Sequence, residues 1–393
     1  MAAISVKTPL LLNSKGFEKM LITDKNELKN YSGKKRIWQG IPSIAGTKGG
    51  RLFSTFYSGG SGEQFGNYCL LLMKERDDES WIDPVAVSAP DKPACQRVYD
   101  PNVWISPDGA LWFFYTKALP CGLYASVCRD PDADELKWEQ ERFIGNDVMM
   151  NKPIVTTSGR WLLPIAVWAK NIFAGNVRQR ENDDPIERGS FVYASDDRGQ
   201  SFYKLGGADV KNRAFDEHMV IEKRDGSLEM FVRTSYGIGK SISADGGKTW
   251  SEGQDTGFGG PNSRFFIMRL NSGNLLLVNH VKCEGQRKNL AAMISFDDGK
   301  SWSEPLMLDE RMSVSYPDGF EASDGYICIT YDRERGCEES AEKALSKARE
   351  VLYARFTEKD VLAGELVSKG SFLKKIISAL GAYDGDAEAL YKR

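Results

Sequence analysis

One unit recurs along this chain and limits what it can fold into: an apolar segment, a Gly-containing polar turn and a second apolar segment. It reads IPSIAGTKGGRLFSTFY at 41–57, VWISPDGALWFFYT at 103–116 and PIVTTSGRWLLPIAV at 153–167. It returns as MVIEKRDGSLEMFVRT at 219–234, FIMRLNSGNLLLVNH at 266–280 and GFEASDGYICITYD at 319–332. The turn glycines are Gly50, Gly109, Gly159, Gly226, Gly273 and Gly325, spaced by 59, 50, 67, 47 and 52 residues. Tight turns need residues that tolerate positive φ, so Asp-Gly, Ser-Gly and Lys-Gly-Gly are hairpin chemistry. The pattern predicts six hairpins.

A second motif is phased against the first. It reads SDDRGQSF at 195–202, SADGGKTW at 243–250 and SFDDGKSW at 295–302. In Ser-x-Asp-x-Gly-x-Ser/Thr-aromatic, the Asp can accept backbone N–H groups within the turn, the Gly can turn left-handed and the aromatic returns to pack between sheets. Degenerate copies end at Trp81 and Trp138. A period of about 50 residues holding four short strands is the size of a propeller blade. A sandwich or tandem domains would not produce this phased recurrence. The expectation is an all-β, six-bladed propeller over 1–393, its blades running from about 36 to 357. An N-terminal strand is expected to complete the last blade, 338–357 to mix a short helical insertion with a final strand, and 370–393 to form a helical tail packed on the ring.

Composition narrows the function classes. With 52 basic against 55 acidic residues, net charge −3, the balance gives no electrostatic case for nucleic acid or a membrane surface. Two histidines, His218 and His280, rule out a histidine-rich metal site and leave little for a Ser-His-Asp triad. Seven cysteines without a Cys-x-x-Cys pair give neither a zinc signature nor a disulfide framework. No stretch approaches the ~18 apolar residues that cross a bilayer. The expectation is a cytoplasmic protein that works without metal or cofactor.

The Ser-x-Asp-x-Gly-x-Thr-Trp copies, known as Asp boxes, and the blade count resemble the sialidase (neuraminidase) superfamily. The boxes mark the fold and also occur in non-enzymatic propellers, so the resemblance is tested at the functional positions. Its first-blade Phe-Arg-Ile-Pro motif is matched by Gln39-Gly40-Ile41-Pro42, leaving Gly40 where the first of three carboxylate-gripping arginines is expected. Arg36 and Arg51 lie nearby as substitutes. The family's Glu and its Arg 16 residues later fall on Glu217 and Arg233. Arg287, before an Asp box, and Tyr316, after it, stand where the resemblance implies the third arginine and the catalytic tyrosine. For the acid/base aspartate of the first-blade loop, SGGSGEQFGNY at 58–68 offers only Glu63.

The chemistry implied is glycoside hydrolysis with a tyrosine nucleophile, an exception to the two-carboxylate scheme. A phenol with a pKa near 10 needs a base. Glu217 would take the proton, Tyr316 would attack the anomeric carbon, Arg233 and Arg287 would fork onto the sugar carboxylate, and Glu63 would protonate the leaving oxygen. His218, beside the base, is a further acid/base candidate. Asp100 and Arg264 hold equivalent positions at the start of their hairpins and are candidate substrate ligands, and Trp104 is a candidate for stacking on a sugar face. Each residue also has a structural reading: a packed aromatic for Tyr316 and Trp104, a salt bridge for Arg233, a strand histidine for His218. The leading expectation is an exo-acting hydrolase that removes a terminal acidic sugar from a glycan. The alternatives are a polysaccharide lyase or other glycosidase using His218, and a non-catalytic glycan-binding propeller.

Overall fold

The computed structural model describes residues 21–381 except 61, 77, 95, 119–121, 147, 168–188 and 336–347. Its strands form six antiparallel four-stranded sheets. Blade 1 runs over Gln39–Ser88, blade 2 over Val98–Gly145, blade 3 over Ile154–Ala208, blade 4 over Met219–Asp255, blade 5 over Phe266–Asp309 and blade 6 over Val314–Ala379. Each predicted hairpin joins the first two strands of one blade. All six turn glycines are left-handed, with φ between 79° and 96°. In every turn the glycine N–H donates to the residue three positions earlier, as Gly109 does to Ser106 and Gly325 to Ala322. A β-branched or bulky residue there would meet the steric penalty that glycine avoids.

The three Asp boxes link the third and fourth strands of blades 3, 4 and 5 and share one hydrogen-bond pattern. Asp245 accepts the Thr249 N–H at 3.0 Å and its hydroxyl at 2.6 Å, while Gly247 N–H donates to Ser243 Oγ at 2.8 Å. Asp197 with Ser201 and Asp297 with Ser301 repeat it. These donors, hydroxyl first, hold Asp197 and Asp297 down at about 2. Trp81 and Trp138 stand before or within the same connection in blades 1 and 2; Trp81 meets the Tyr353 ring edge-on at 6.0 Å, tying blade 1 to blade 6.

Interdigitated apolar faces hold the blades together. Trp104 and Trp112 of blade 2 meet Trp161 of blade 3 edge-to-face at 4.8 and 5.5 Å, a geometry that adds to burial itself. Trp104 is therefore a core residue and not a sugar platform. Across the axis, fully buried Arg264 donates to Pro317 O at 3.1 Å, Met150 O at 2.8 Å and Pro42 O at 3.3 Å, reaching blades 6, 3 and 1. Lys152 pairs with Asp318 and donates to Ser43 Oγ at 3.1 Å.

Two expectations about the ends need correction. The four strands of blade 6 come from Val314–Ala379, so among the described residues no N-terminal strand completes it. The chain's N-terminal side instead makes an isolated bridge, Ile22 to Val87, on the outer edge of blade 1. The expected helical tail at 370–393 is a strand over Phe372–Ala379, paired with Glu350–Thr357. Its apolar spacing fits both periods over so short a run, and an unpaired strand edge decides between them because its N–H and C=O groups need partners. Glu350–Thr357 is accordingly the third strand of its blade and not the final one. A capped helix, Glu358–Ala363, separates the two strands. Residues 338–347 of the expected insertion and 382–393 of the tail lie outside the described residues. Among the described residues no helix is long and apolar enough to cross a membrane.

Candidate active site

The turn glycines and Asp boxes share one face of the ring, because first and third strands run towards it. The opposite face carries the strand starts and is where the predicted chemistry gathers. One position recurs there, nine residues before each turn glycine: Ile41, Asp100, Met150, Glu217, Arg264 and Tyr316. Four of these six are left-handed, at φ 59°, 48°, 30° and 57° for Ile41, Asp100, Glu217 and Tyr316. In blades 1, 2 and 6 the strand bulges there. Ile41-Pro42, Asp100-Pro101 and Tyr316-Pro317 each sit where the register slips against the neighbouring strand. A bulge puts two residues opposite one and re-aims a side chain, and proline has no N–H to leave unpaired.

Glu217 arrives by a tighter device. Phe215, Asp216 and Glu217 are consecutive left-handed residues, with φ of 58°, 63° and 30°, a conformation that costs about 1–2 kcal/mol for each residue bearing a Cβ. The surroundings over-determine it. Arg233 N–H donates to Asp216 O at 3.1 Å and Ala214 N–H to Arg233 O at 3.0 Å. The Asp216 carboxylate takes Ser190 Oγ at 3.1 Å and pairs with Arg213 at 3.0 Å. Asn151 Nδ2 donates to the carbonyls of Glu217 and His218 at 2.8 and 3.0 Å.

The result is a closed triangle. Tyr316 donates its hydroxyl proton to Glu217 Oε1 at 2.9 Å, and Arg233 Nη1 donates to the same oxygen at 2.6 Å and to Tyr316 Oη at 3.0 Å. Asn262, a residue the sequence reading missed, orients Arg233 through its side-chain oxygen at 2.6 Å and its carbonyl at 3.0 Å. The other oxygen of Glu217, Oε2, is buried and has no hydrogen-bond partner. Burial, then the Glu217 charge, pushes the Tyr316 phenol up to about 12 against the pull of Arg233, Arg287 and Arg335. The phenol is neutral at physiological pH, and its proton already points at a carboxylate.

Arginines surround the phenol ring: Arg335, Arg287 and Arg264 lie 4.8, 5.3 and 5.8 Å from its centroid. Arg335 was invisible as a candidate. A Cβ built on Gly40 would stand 2.2 Å from Arg335 Cδ and 2.5 Å from its Cγ. The stem of an arginine from blade 6 thus fills the space above the residue that replaces the expected blade 1 arginine. Arg335 is ion-paired with Glu63 at 3.2 Å and Asp332 at 3.7 Å.

Other candidates move out of the site. Arg36 does not substitute for the missing arginine: its buried guanidinium donates to Asp83 at 2.9 Å and to Ser378 at 3.3 Å, bracing the outer side of blade 1. Arg51 is held by the Pro131 and Ala133 carbonyls at 2.7 and 2.6 Å. Arg264 belongs to the cross-axis contacts beneath Tyr316 and has no exposed side-chain surface, so it is a support and not a substrate ligand. His218 does not join the triangle: it is buried against blade 3. Its Nε2 bonds Phe191 O at 2.7 Å, and burial lowers its pKa to about 4. That removes it as an acid or base in this site. Asp100 is buried, and desolvation first, then the Glu63 charge, raises its carboxyl to about 8. Among the described residues no group of His, Cys, Asp and Glu is arranged to hold a metal ion, and Cys69, Cys128, Cys283 and Cys328 are free, buried thiols.

The sequence pattern of the BNR repeat-like domain matches residues 50–329. No curated protein sequence matches the chain significantly. Among solved structures, the chain is similar to a protein of unknown function from Dyadobacter fermentans, at 16% identity over 77% of this chain and 92% of that one, TM-score 0.59. It is similar to a variant of the NanB sialidase from Streptococcus pneumoniae, at 13% identity over 84% and 70% of the two chains, TM-score 0.62. It is similar as well to the intramolecular trans-sialidase from Ruminococcus gnavus in complex with oseltamivir carboxylate, at 13% identity over 84% and 97%, TM-score 0.57. At such identities these likenesses speak for the propeller fold alone.

Proposed function

The chain belongs to the BNR repeat-like domain family, and from that premise we propose that it is a glycoside hydrolase of sialidase type, removing a terminal acidic sugar from a glycan. The observation that carries this reading is the Tyr316–Glu217–Arg233 triangle, with its hydroxyl-to-carboxylate hydrogen bond of 2.9 Å. A buried phenol with no base beside it is a packing residue. One whose proton is already shared with a buried carboxylate is an activated nucleophile.

In this reading Glu217 accepts the Tyr316 proton as the phenol oxygen attacks the anomeric carbon. A nucleophile that starts uncharged is not repelled by the sugar's own carboxylate. The guanidiniums of Arg233, Arg287 and Arg335 receive that carboxylate through charge-assisted hydrogen bonds. Arg335 takes the part that the resemblance assigns to the position of Gly40. The non-catalytic alternative is disfavoured by the strained turn at Phe215–Glu217, because a binding surface needs no carboxylate forced onto a tyrosine. The lyase alternative loses its base with His218.

The test is hydrolysis of a panel of aryl and natural glycosides of sialic, uronic and neutral deoxy sugars by wild type, Tyr316→Phe and Glu217→Gln. Release of an acidic sugar, lost by about 10²-fold or more in either variant, supports the proposal. Undiminished release by both variants, or binding without turnover in the wild type, overturns it. An unsaturated product absorbing in the near ultraviolet would instead identify a lyase.

A further inference from the structure

We propose that Asp100, and not Glu63, is the general acid that protonates the leaving oxygen; this inference rests on the hydrolase reading above. Three observations carry it. Glu63 lies within 3.2 Å of the Arg335 guanidinium. That contact ties the Glu63 carboxyl to the guanidinium instead of leaving it turned towards a leaving oxygen. The ion pair exists because Arg335 crosses over Gly40, so the same displacement that supplies an arginine to the site engages the Glu63 side chain.

Asp100 is placed for the role by the backbone. It occupies the same ring position in blade 2 that Glu217 occupies in blade 4 and Tyr316 in blade 6, nine residues before the turn glycine. A left-handed residue in a bulge, φ 48°, turns it out of the strand as Tyr316 is turned out of its own. It is 3% exposed, close to the 3% of Glu217 and 5% of Tyr316, so the three share one depth of burial.

The charged surroundings keep its proton on. Asp100 feels Glu63 and Glu217 as like charges, and Arg97 and Arg264 as opposite ones. Cys69 of blade 1, buried and neutral, also lies within range. Desolvation and the two carboxylates outweigh the two guanidiniums. The carboxyl stays protonated through neutral pH, which is the state a general acid requires before reaction.

The step balances. Tyr316 Oη forms a bond to the anomeric carbon while its proton passes to Glu217. The bond from that carbon to the glycosidic oxygen breaks, and the oxygen leaves with the proton from Asp100. In the second half, the Asp100 carboxylate takes a proton from water as the water oxygen attacks the same carbon. The tyrosyl bond then breaks and Glu217 returns the proton to Tyr316.

Leaving-group dependence tests the assignment. Asp100→Asn should lose at least 100-fold in kcat on a glycan or a methyl glycoside of the cleaved sugar. It should stay within about tenfold of wild type on the nitrophenyl glycoside, whose leaving group needs no protonation. The alkaline limb of kcat/KM near pH 8 should vanish with it. Glu63→Gln should leave the leaving-group ratio in place and keep the limb, moved to lower pH because the Glu63 charge helps to raise the Asp100 carboxyl. If Glu63→Gln shows the leaving-group selectivity and Asp100→Asn slows both substrates equally, the assignment is wrong while the hydrolase reading stands. If wild type cleaves neither substrate, the hydrolase reading fails first.

Discussion

Arg335 Cδ lies 2.2 Å from where Gly40 would carry a Cβ; residues almost 300 positions apart exclude each other's side chains across the joint between blades 6 and 1. Glycine at position 40 is a consequence of where the arginine comes from. Arg335→Ala is expected to lower kcat/KM on an acidic glycoside about 10- to 100-fold, the worth of a charge-assisted pair. Gly40→Ala should do similar harm by displacing the stem. The double variant Gly40→Arg/Arg335→Gly should recover activity that neither single variant has, measured as kcat/KM beside Arg335→Gly alone.

The cross-axis contacts predict a stability effect separable from catalysis. Arg264→Met takes one of two cationic partners, Arg264 and Lys152, from the buried Asp318 and strips three carbonyls of a donor. Removing one partner of such a buried pair costs about 3–5 kcal/mol, readable by denaturant unfolding. The Arg264→Met/Asp318→Asn double variant should recover part of that loss.

Stability should peak near pH 6.5 through three buried groups. His218 and His280 are both lowered to about 4 by burial. The unfolded chain therefore binds protons that the fold refuses as pH falls from about 6.5 to 4, and stability drops over that window. Asp100 acts in reverse: raised to about 8, it keeps a proton that the unfolded chain has lost above about pH 4. Its contribution is full below pH 4 and declines up to pH 8, by an amount on the order of 5 kcal/mol. Between pH 4 and 6.5 two histidines outweigh one aspartate, and above 6.5 the aspartate acts alone. Urea midpoints across pH should show the alkaline decline in wild type and not in Asp100→Asn.

The Asp boxes predict the complement. Asp245→Ala removes the acceptor for Thr249 and Lys248 N–H groups on the face away from the triangle. It should lower Tm while kcat measured well below Tm is unchanged. A loss of kcat with Tm intact would place the box in the chemistry.

Local spacing made much of this legible. Turn chemistry revealed the six hairpins because a left-handed glycine leaves a signature in sequence, and Glu217 and Arg233 sit at the two ends of a single hairpin. Tyr316 was readable for the same reason, standing just before its own hairpin. Arg335 was not, since its role depends on a stem crossing between blades and nothing in DRERG marks that. His218 misled because sequence adjacency to Glu217 says nothing of its ring, which is spent on the Phe191 carbonyl of blade 3. Arg264 was correctly seen at a strand start, but only the cross-axis carbonyls decide that its charge is spent internally. Phe372–Ala379 needed the unpaired edge of Glu350–Thr357, which is tertiary information.

Among the described residues blades 6 and 1 share no strand, and this has a further consequence. That seam is fastened by side chains: Asp332 accepts Ile41 N–H at 2.8 Å, Asp318 accepts Ile44 N–H at 3.0 Å, and Gln39 donates to Arg349 O at 2.7 Å. Tyr316 and Arg335 stand on one bank, Gly40 and Glu63 on the other. An anionic ligand gripped by Arg335, whose stem crosses over Gly40, then adds a contact across the joint that chain connectivity leaves open among the described residues. The molecule should lose its catalytic competence at the first parting of that joint, before the blades themselves melt, and should resist parting longest when its pocket is full.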